Sequence, residues 1–468
     1  MEFLNGLKNP LEEQKAYTAQ IKKLLISRYA GVPKACVETY GCQQNVSDSE
    51  HIKGMLTEFG YELTEDSAEA DFVLFNTCAV REHAEARVYG NLGALKHLKR
   101  RRPGMIIAIC GCMVQQQAVA DRIKKSYPYV DLLFGTHVTH RLPEFLYGCL
   151  TGGKRVFNIS TDNNEIFEDI PVHRDGDLKG WLPIMYGCNN FCTYCIVPYV
   201  RGRERSRKPD EVLAEAKRMV NMGFREIMLL GQNVNSYGKG EDHGVNFAKL
   251  LRMLNEIEGD FKIRFMTSHP KDCTEELLDT MAECEKVCHQ LHLPMQSGSD
   301  RILKLMNRHY DIKRYLSLIE YARKKMPDIV LTSDIIVGFP GETYEDFCET
   351  LKVIKQVKFT SLFTFIYSKR DGTPAAVMDD PITREEKGKW FSELLSVQEE
   401  ISRENYSGMI GNVYRVLCDG EGRALGRMAG RTDGNVVIEF DGDKTAYGKY
   451  FTVKVLEHTN VLYGTVID

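Results

Sequence analysis

Three cysteines in one short segment have the spacing of a metal-cluster site. Cys188, Cys192 and Cys195 form a C-x3-C-x2-C pattern within YGCNNFCTYC. Three thiolates so close in sequence can bind a four-iron cluster and leave one iron without a protein ligand. Because a catalytic metal needs an open coordination position, the spacing predicts a catalytic cluster rather than an electron carrier. The alternative is three packed or zinc-bound cysteines, although the sequence offers no fourth zinc ligand nearby.

A second set of three cysteines follows strand-like segments. Cys42, Cys78 and Cys112 each come directly after an apolar run, in ETYGCQQN, NTCAVRE and ICGCMVQQ. Ligands of open parallel sheets bind outside the carboxyl ends of the strands, so loops at those ends would bring the three thiolates together. Gly41 and Gly111 favour this interpretation because glycine lets the backbone turn tightly. The pattern predicts a second cluster with an open iron, and three buried cysteines that end strands are the alternative.

Polar residues stand beside the second cysteine set. Asn45, Asn76 and Arg81 are predicted either to orient sulfur or substrate or to cap local turns and helices. Cys110 precedes Cys112 by two residues and is predicted to point away from the cluster, into the core.

Two basic segments could face an anionic partner. Arg201, Arg203, Arg205 and Arg207 follow the first cysteine set as a predicted cationic arm, and residues 96–102 read KHLKRRR. The second segment is either a solvated helix end or a surface that faces RNA. Because the net charge of the chain is -4, any nucleic-acid binding must be local.

Length and composition indicate a soluble globular protein of two or three domains. The chain has 468 residues, of which 43% are hydrophobic and 27% charged. No signal peptide and no apolar run of about 18 residues is recognisable, so we expect a cytoplasmic protein. Fourteen cysteines in such a chain favour a reducing compartment, with some thiols as metal ligands and others in the core.

The alternation of apolar runs predicts an α/β protein of several domains. Residues 1–33 are an extension, and residues 34–152 should form a doubly wound parallel sheet. Residues 153–180 read as a linker or peripheral ribbon. Residues 174–404 contain about six strand-helix units, which predicts a partial (β/α)6 barrel with its site at the carboxyl ends of the strands. Residues 405–468 should form a small antiparallel β-barrel. The predicted strands lie at 35–40, 71–76, 105–109 and 130–134, then at 182–186, 226–230, 263–267, 291–295, 329–337 and 361–367, and finally at 413–417, 424–428, 435–440 and 450–456.

The first cysteine set, with an aromatic residue before its last cysteine, resembles the cluster loop of radical S-adenosylmethionine enzymes. In that family the open iron of a 4Fe-4S cluster chelates the methionine part of the cofactor. The resemblance implies that loops at the strand ends of the barrel bind S-adenosylmethionine. The residues proposed for this role are Tyr194 and Ile196 as apolar cover, Gly231, Gln232 and Asn233 for the amino group, Ser268, Gln296, Ser333 and Asp334 for the ribose and carboxylate, Phe339 beside the adenine, and Arg370.

Several motifs resemble those of the methylthiotransferases. TYGCQQN, NTCAVRE and GCMVQQ match the segments that carry the ligands of an auxiliary 4Fe-4S cluster in that family, and YSKRDGTPA matches a further motif at residues 367–375. Residues 405–468 resemble the TRAM domain, an RNA-binding module. That region contains seven Lys plus Arg and eight Asp plus Glu, so its overall charge does not itself indicate RNA binding, although Arg423, Arg427 and Arg431 are spaced to share a face.

The resemblance implies a reaction that converts C–H into C–SCH3. A radical made from S-adenosylmethionine at the first cluster would remove hydrogen, the second cluster would supply sulfur, and a second S-adenosylmethionine would supply the methyl group. The motifs after Cys42 and around Cys112 are similar to the branch that acts on N6-isopentenyladenosine 37 in the tRNA anticodon loop. Implied partners are tRNA, an electron donor such as flavodoxin or ferredoxin, and a source of sulfur or cluster repair. Threonylcarbamoyladenosine in tRNA and an aspartate of a ribosomal protein are alternative substrates. A non-catalytic iron-sulfur RNA-binding regulator is the alternative from another class.

Overall fold

The computed structural model describes residues 2–4, 9–79, 82–161, 165–459 and 461–467. Two compact units divide the chain. The first contains Met1–Asp175, Tyr186–Asn189 and Ile196–Arg207, and the second contains Gly176–Met185, Asn190–Cys195 and Lys208–Asp468. Arg81 lies outside the described residues, so its predicted role stays a prediction.

A parallel sheet forms the first unit, as predicted. Its strands are β1 (Lys34–Tyr40), β2 (Glu62–Leu63), β3 (Phe72–Thr77), β4 (Ile106–Gly111), β5 (Leu132–Phe134) and β6 (Val156–Asn158). Its helices are α1 (Pro10–Arg28), α2 (Gln43–Phe59), α3 (Glu82–Arg101), α4 (Gln117–Ser126) and α5 (Leu142–Gly152). The strand order is β2-β1-β3-β4-β5-β6, and each neighbouring pair is parallel.

Apolar side chains cover both faces of this sheet, so it is doubly wound. Helices α1, α2 and α5 contribute Leu25, Leu56 and Phe145 to the core on one face. Helices α3 and α4 contribute Leu92 and Ile123 to the core on the other. Each central strand therefore buries side chains on both sides, which explains its nearly continuous apolar sequence.

Two regions expected to be peripheral contribute to this unit. Helix α1 begins at Pro10 behind an Asn9 cap and packs Ile21 into the core, although residues 1–33 read as an extension. Within the expected linker, Val156–Asn158 forms β6 and pairs with β5. A three-residue strand has no periodicity that a sequence pattern can detect, which is why the linker interpretation was wrong at this point.

Six parallel strands form the central part of the second unit. They are β7 (Lys179–Pro183), β10 (Glu226–Leu230), β11 (Lys262–Phe265), β12 (Gln290–His292), β13 (Val330–Val337) and β14 (Ser361–Ile366). In sequence, the short strands β8 (Met185–Tyr186) and β9 (Arg205–Ser206) come between β7 and β10 and form a separate two-stranded sheet. The six longer strands form two parallel sheets, β11-β10-β7 and β12-β13-β14. The prediction of a partial barrel is thereby confirmed, except that the first strand begins at Lys179, where it pairs with Glu226 of β10, and not at 182.

Helices alternate with these strands and bury one large core. They are α7 (Pro209–Asn221), α8 (Phe247–Asn255), α9 (Glu275–Glu283), α10 (Asp300–Leu305), α11 (Ile312–Lys325), α12 (Tyr344–Val357) and α13 (Arg384–Ser407). The short helix α6 (Val197–Arg201) belongs to the first unit. Short 3-10 turns occur at Glu2–Leu4, Thr136–Arg141, Val234–Ser236, Pro270–Asp272, Pro374–Val377 and Lys444–Ala446. No helix in the described part of the chain is long and apolar enough to cross a membrane.

A closed five-stranded barrel ends the second unit. Its strands are β15 (Val413–Glu421), β16 (Arg427–Arg431), β17 (Val437–Asp441), β18 (Tyr450–His458) and β19 (Leu462–Val466), in the order β15-β16-β17-β19-β18. The small barrel was predicted, but its last strand was not. The β17–β19 pairing is parallel, and β19 also pairs antiparallel with β18, the strand before it in sequence, so β19 closes the barrel between these two strands. The predicted strand at 424–428 begins instead at Arg427.

Candidate cluster and cofactor sites

The second cysteine set lies at one edge of the parallel sheet. Cys42 follows β1, Cys78 follows β3 and Cys112 follows β4, and these three strands are neighbours. The chain reverses its winding direction between β1 and β3, so the crevice for a ligand lies at the carboxyl ends of these strands. A hydrogen bond with the Cys78 thiol holds the pKa of Cys42 below its usual value. The structure therefore brings the three predicted loops together, while their role as cluster ligands stays a prediction.

Glycine at two positions makes the turns around these cysteines possible. Gly111 has a φ of +100°, and a side chain there would bring a Cβ atom to 2.4 Å from the carbonyl oxygen of Thr77. At Gly41 a Cβ atom would lie 2.5 Å from Oδ1 of Asn45. The prediction that tight turns precede Cys42 and Cys112 agrees with this geometry.

A buried amide network connects the loops after β1 and β3. Asn45 accepts a hydrogen bond from the backbone N–H of Cys42 at 3.3 Å and donates to Oδ1 of Asn76 at 3.1 Å. Asn76 in turn donates to the backbone oxygen of Asn45 at 2.8 Å and to Ser49 at 3.0 Å. Both amides are fully buried. They cap the start of α2 and also hold the Cys42 loop against β3. The same two side chains therefore cap a helix and orient the cysteine.

Arg201 contacts one cysteine of this set. Its Nε atom lies 2.9 Å from Sγ of Cys112, and one Nη atom donates to Asp48 at 2.6 Å. The guanidinium is only 5% exposed. Burial raises the pKa of Cys112, and the positive charge of Arg201 opposes that rise. The sequence did not indicate this contact, because 89 residues separate the two partners.

The predicted cationic arm is therefore wrong for two of its four arginines. Arg201 is buried against Cys112, and Arg207 is buried in an ion pair with Glu168 at 2.6 Å. Neither guanidinium is offered to an outside partner. The spacing predicted one cationic arm of four arginines, whereas the first and the last of them turn inward.

Ile196 lies in the first unit beside the second cysteine set. It packs with Cys112, Val200 and Ala79 in a small apolar cluster. Cys110 belongs to the main core of the sheet, as predicted. Its burial raises the pKa of its thiol well above the usual value, so it remains protonated.

The first cysteine set is divided between the two units. Cys188 belongs to the first, where its N–H donates to the carbonyl of Gly202 at 3.1 Å. Cys192 and Cys195 belong to the second and are joined by a turn, from the N–H of Cys195 to the carbonyl of Cys192 at 2.9 Å.

Arg308 contacts Cys192 within the second unit. An Nη atom lies 3.5 Å from the Cys192 sulfur, and the other donates to the carbonyl of Pro294 at 2.7 Å. The side chain is 6% exposed and lies over the ring of Tyr310. Sequence reasoning missed this residue, since an arginine after a short helix has no distinctive pattern.

Backbone strain is concentrated in the loops around Cys192. Phe191, Thr267, Gln296 and Asn307 have positive φ angles of 47°, 61°, 71° and 59°. Asn307 also donates from its side chain to the carbonyl of Phe191 at 2.9 Å. Non-glycine residues in this region cost about 1–3 kcal/mol each and are typical of functional sites.

Several buried polar atoms of the second unit, on residues that follow its strands or contact Cys192, lack a hydrogen-bond partner among the described residues. Within the described part of the chain, Asn233 Oδ1, Ser268 Oγ, His269 Nε2 and Arg308 Nε have no hydrogen-bond partner. A buried polar atom left unpaired costs about 1–3 kcal/mol, so such atoms normally face a ligand or water. Asn233 and Ser268 were predicted as cofactor residues. S-adenosylmethionine carries the amino, carboxylate and ribose groups that atoms of these types bind.

His269 was not predicted but belongs with these atoms. Its Nδ1 accepts a hydrogen bond from the N–H of Lys271 at 3.1 Å, which leaves Nε2 as the donor. Burial and the neighbouring Arg308 hold the pKa of His269 far below its usual value, so the ring is neutral.

Two predicted cofactor residues, Ser333 and Gln296, form hydrogen bonds with backbone groups of the central strands and the loops that follow them. The Ser333 hydroxyl accepts from the N–H of Met295 at 2.8 Å and donates to the carbonyl of Leu293 at 3.0 Å. Gln296 exchanges backbone hydrogen bonds with Asp334 and Ile336 of β13. The cofactor role of both residues stays a prediction.

The remaining predicted residues lie at strand ends or in nearby loops. Asp334 is 3.4 Å from Nε2 of His292. Phe339 is fully buried, and its ring meets that of Tyr194 edge-on at 6.4 Å. These contacts place an aromatic pair beside the cysteine turn, inside the second unit.

Gly231 and Gln232 begin the loop after β10. The carbonyl of Gly231 accepts from the hydroxyl of Thr267 at 2.7 Å, and Gln232 is half-buried. The carbonyl of Arg370 accepts from the hydroxyl of Thr373 at 2.7 Å, which holds the turn of the YSKRDGTPA motif.

The described residues contain no cluster of side chains that is already arranged to bind a metal ion. Groups of three or more His, Cys, Asp or Glu side chains that could hold an ion were absent from residues 9–79, 82–161, 165–459 and 461–467. The assignment of clusters to the cysteines therefore depends on where the loops lie and on the chemistry of the thiols.

Comparisons with known proteins identify two family regions. The model of the Radical SAM superfamily matches residues 182–354, and that of the uncharacterized protein family UPF0004 matches residues 34–135. Among solved structures, the radical S-adenosylmethionine methyltransferase TsrM from Kitasatospora setae aligns over 74% of this chain and 75% of its own, with a TM-score of 0.55 and 13% identity. The cobalamin-dependent S-adenosylmethionine radical enzyme OxsB aligns over 80% of this chain and 56% of its own, with a TM-score of 0.53 and 12% identity. These likenesses show the fold.

Curated relatives match almost the whole chain. A tRNA-2-methylthio-N(6)-dimethylallyladenosine synthase from Acetivibrio thermocellus is 48% identical over 95% of this chain and 94% of its own length. An enzyme of the same name from Clostridium beijerinckii is 50% identical over 90% of this chain and 93% of its own. Identity at this level over both cysteine sets and the small barrel shows the family: the chain belongs to the tRNA-2-methylthio-N(6)-dimethylallyladenosine synthases.

Proposed function

We propose that this enzyme replaces hydrogen by a methylthio group at C2 of N6-isopentenyladenosine 37 in tRNA. The observation that carries the proposal is the meeting of Cys42, Cys78 and Cys112 at one edge of the N-terminal sheet, in a chain that also has the C-x3-C-x2-C motif. A radical enzyme that only abstracts hydrogen needs one cluster, whereas insertion of sulfur needs a sulfur donor as well. The names of the relatives support the same reaction.

Membership of the radical SAM superfamily implies a 4Fe-4S cluster and S-adenosylmethionine. We infer that Cys188, Cys192 and Cys195 hold this cluster. A second 4Fe-4S cluster would be held by Cys42, Cys78 and Cys112. When bound, the clusters and two molecules of S-adenosylmethionine supply the radical, the sulfur and the methyl group of the reaction.

The side chains around Cys192 would bind and orient the cofactor. Asn233, Ser268 and His269 present unpaired polar atoms, and these would be satisfied by the polar groups of S-adenosylmethionine. Tyr194 and Phe339 would supply apolar surface and exclude water. The neutral His269 ring donates from Nε2, which suits a carboxylate or hydroxyl acceptor.

A substrate nucleotide would enter beside the small barrel. Within the second unit, a cavity of about 450 Å³ is lined by Thr332 and Phe363 of the central sheet and by Arg423 and Glu439 of the barrel. Its volume suits one nucleotide, and Phe363 offers an aromatic face to a base that has left its stack. Residues 405–468 would thus act as a TRAM domain that presents the anticodon loop to the core at 174–404, with residues 34–152 carrying the second cluster.

Turnover requires further partners by its chemistry. Reductive cleavage of S-adenosylmethionine consumes an electron, for which a flavodoxin or ferredoxin is the expected donor. Each product removes one sulfur atom, so a sulfur or cluster-repair source must replace it. Because the substrate is tRNA, we place the reaction in the cytoplasm.

Nucleoside mass spectrometry tests the proposal. Anaerobically reconstituted enzyme, reductant and S-adenosylmethionine are incubated with tRNA that carries either isopentenyladenosine or threonylcarbamoyladenosine. We expect a mass gain of SCH3 for H on isopentenyladenosine only. A variant without Cys42, Cys78 and Cys112 should still form 5'-deoxyadenosine but no methylthio product.

Other outcomes would redirect the assignment. A mass gain on threonylcarbamoyladenosine alone would contradict the proposed substrate, but it would still support methylthiolation as the reaction. Formation of 5'-deoxyadenosine without modification of either tRNA would indicate a protein substrate. A folded, iron-loaded protein that forms no 5'-deoxyadenosine would contradict the enzymatic proposal itself.

A further inference from the structure

We propose that Arg201 is a positioning residue that anchors Cys112 and makes the second cluster easier to reduce. The proposal rests on the proposed function, since it needs a cluster on Cys42, Cys78 and Cys112. Its basis is the pair of contacts from one guanidinium, 2.9 Å to the Cys112 sulfur and 2.6 Å to Asp48. No other part of the proposed mechanism uses this arginine.

The burial of Arg201 shows that its contacts are specific. A guanidinium that is 5% exposed has lost almost all of its hydration, and an unpaired charge there would cost several kcal/mol. The Asp48 carboxylate balances part of that cost, and Gln44 donates to the other carboxylate oxygen at 3.3 Å. The cation therefore needs the sulfur and the carboxylate together, and a thiolate is a better acceptor than a thiol.

The backbone around Arg201 is held in place before any cluster binds. Arg201 ends helix α6, and the hydroxyl of Thr136 donates to the carbonyl of Val200 at 2.6 Å. The next residue, Gly202, has a φ of +76°, and a Cβ atom there would lie 2.8 Å from the His137 ring. The hydrogen bond and the close approach hold the end of α6 against Thr136 and His137, and they position the backbone that carries the guanidinium.

A hydrogen bond to a ligand sulfur changes the reduction potential of an iron-sulfur cluster. The N–H of Arg201 withdraws negative charge from Cys112, and reduction adds negative charge to the cluster. Arg201 should therefore stabilise the reduced form and raise the potential. Asp48 carries the opposite charge, so it should lower the potential through the same guanidinium.

The test measures the second cluster alone. In a background with Cys188→Ala, Cys192→Ala and Cys195→Ala, reconstituted protein is titrated with reductant and followed by EPR. We expect R201Q to shift the midpoint potential to more negative values, R201K to shift it less, and D48N to shift it to more positive values. R207Q is the matched control, because Arg207 is equally buried in the same segment but paired with Glu168. Its potential should equal that of the background.

The iron content of each variant distinguishes a specific loss of the Arg201 contact from general damage to the fold. Loss of the cluster in R201Q with retention in R201K and R207Q would also support the anchor. Shifts of R201Q and D48N in the same direction, or unchanged potentials at full iron content, would overturn the proposal. Loss of the cluster in R207Q as well as R201Q would overturn it too, since any buried arginine of the segment would then have the same effect. A background protein that binds no iron would instead contradict the second cluster in the proposed function.

Discussion

At the scale of single residues, the contact of Arg308 with Cys192 resembles that of Arg201 with Cys112. In each case a buried guanidinium lies within hydrogen-bond distance of one cysteine sulfur. Arg308 differs from Arg201 because its Nε atom has no hydrogen-bond partner within the described part of the chain. Its Nη atoms contact the Cys192 sulfur and the Pro294 carbonyl, where Arg201 has a carboxylate. It can therefore serve both the sulfur and a bound cofactor.

Replacement of Arg308 should slow cleavage of S-adenosylmethionine. A hydrogen bond to a charged group contributes about 1.5–3 kcal/mol, so R308Q should form 5'-deoxyadenosine roughly ten to a hundred times more slowly. Initial rates, normalised to iron content, measure the effect. R301Q is the control, because Arg301 is half-exposed and pairs with Asp346. Equal rates for R308Q and wild type at equal iron content would contradict a role at Cys192.

Glu342 should make stability depend on pH. Its carboxyl is buried and accepts from the N–H groups of Gly338 and Phe339, and burial raises its pKa from 4.5 to about 7. The folded state thus holds the proton more tightly than the unfolded state. The stability from this group is complete below pH 4.5 and is lost as the pH rises through about 7, by on the order of 3 kcal/mol.

The variant E342Q should remove that dependence. Its Tm should equal that of wild type near pH 5 and exceed it near pH 8, as measured by differential scanning fluorimetry. The variant E386Q is expected to show the opposite sign, because hydrogen bonds from Thr383 lower the pKa of Glu386. A Tm difference between E342Q and wild type that does not change with pH would exclude titration of Glu342.

At the scale of elements, the turn between β4 and Cys112 is a tightly constrained connection of the N-terminal sheet. Gly111 combines a left-handed φ with contact to the backbone of Thr77. We expect G111A to lose at least about 2 kcal/mol of stability and to bind less iron at the second site. G60A separates the two causes, since Gly60 has a φ of +104° but no atom within 4 Å of a Cβ atom. G60A should lose stability but keep its iron, and equal iron loss in both variants would contradict the role of Gly111.

The predictable elements were those with long apolar runs. Strands β3, β4 and β10 are buried along their whole length, so their sequences are mostly apolar and are found within a residue or two. Strand β6 has only three residues, and β19 (LYGTV) is interrupted by Gly464 and Thr465, so neither carries such a run. Cys42, Cys78 and Cys112 were predicted as ligands from the apolar runs that precede them, and Cys188, Cys192 and Cys195 from their C-x3-C-x2-C spacing.

The unpredictable site residues depend on tertiary contacts. Arg201, Arg308 and His269 are polar residues whose burial is decided by other segments, and their own neighbours in sequence give no periodic signal. A charged residue is usually assigned to the surface. Both arginines are exceptions because a sulfur atom or a carbonyl oxygen accepts hydrogen bonds from their guanidinium groups.

At the scale of the whole molecule, we expect the small barrel and the central sheet of the second unit to select the substrate together. Phe363 is 47% exposed, meets the ring of His292 edge-on at 5.5 Å and lines the cavity that both parts enclose. Two of the three barrel arginines expected to share a basic face are engaged with acidic groups instead, Arg431 with Asp419 and Arg427 with Glu439. Recognition of RNA here should therefore depend on stacking more than on a field of positive charge.

The variant F363A should weaken use of tRNA without affecting the cofactor reaction. Base stacking on an aromatic side chain contributes about 1–3 kcal/mol, so the KM for isopentenylated tRNA should rise roughly five- to a hundredfold. Formation of 5'-deoxyadenosine without tRNA should equal that of wild type. F365A is the matched control, because Phe365 is 53% exposed two residues further along β14 but is not among the residues that line the cavity. If F365A raises the KM as much as F363A, the base binds along the open face of β14 and the cavity is not its site; if neither does, RNA recognition lies elsewhere on the enzyme.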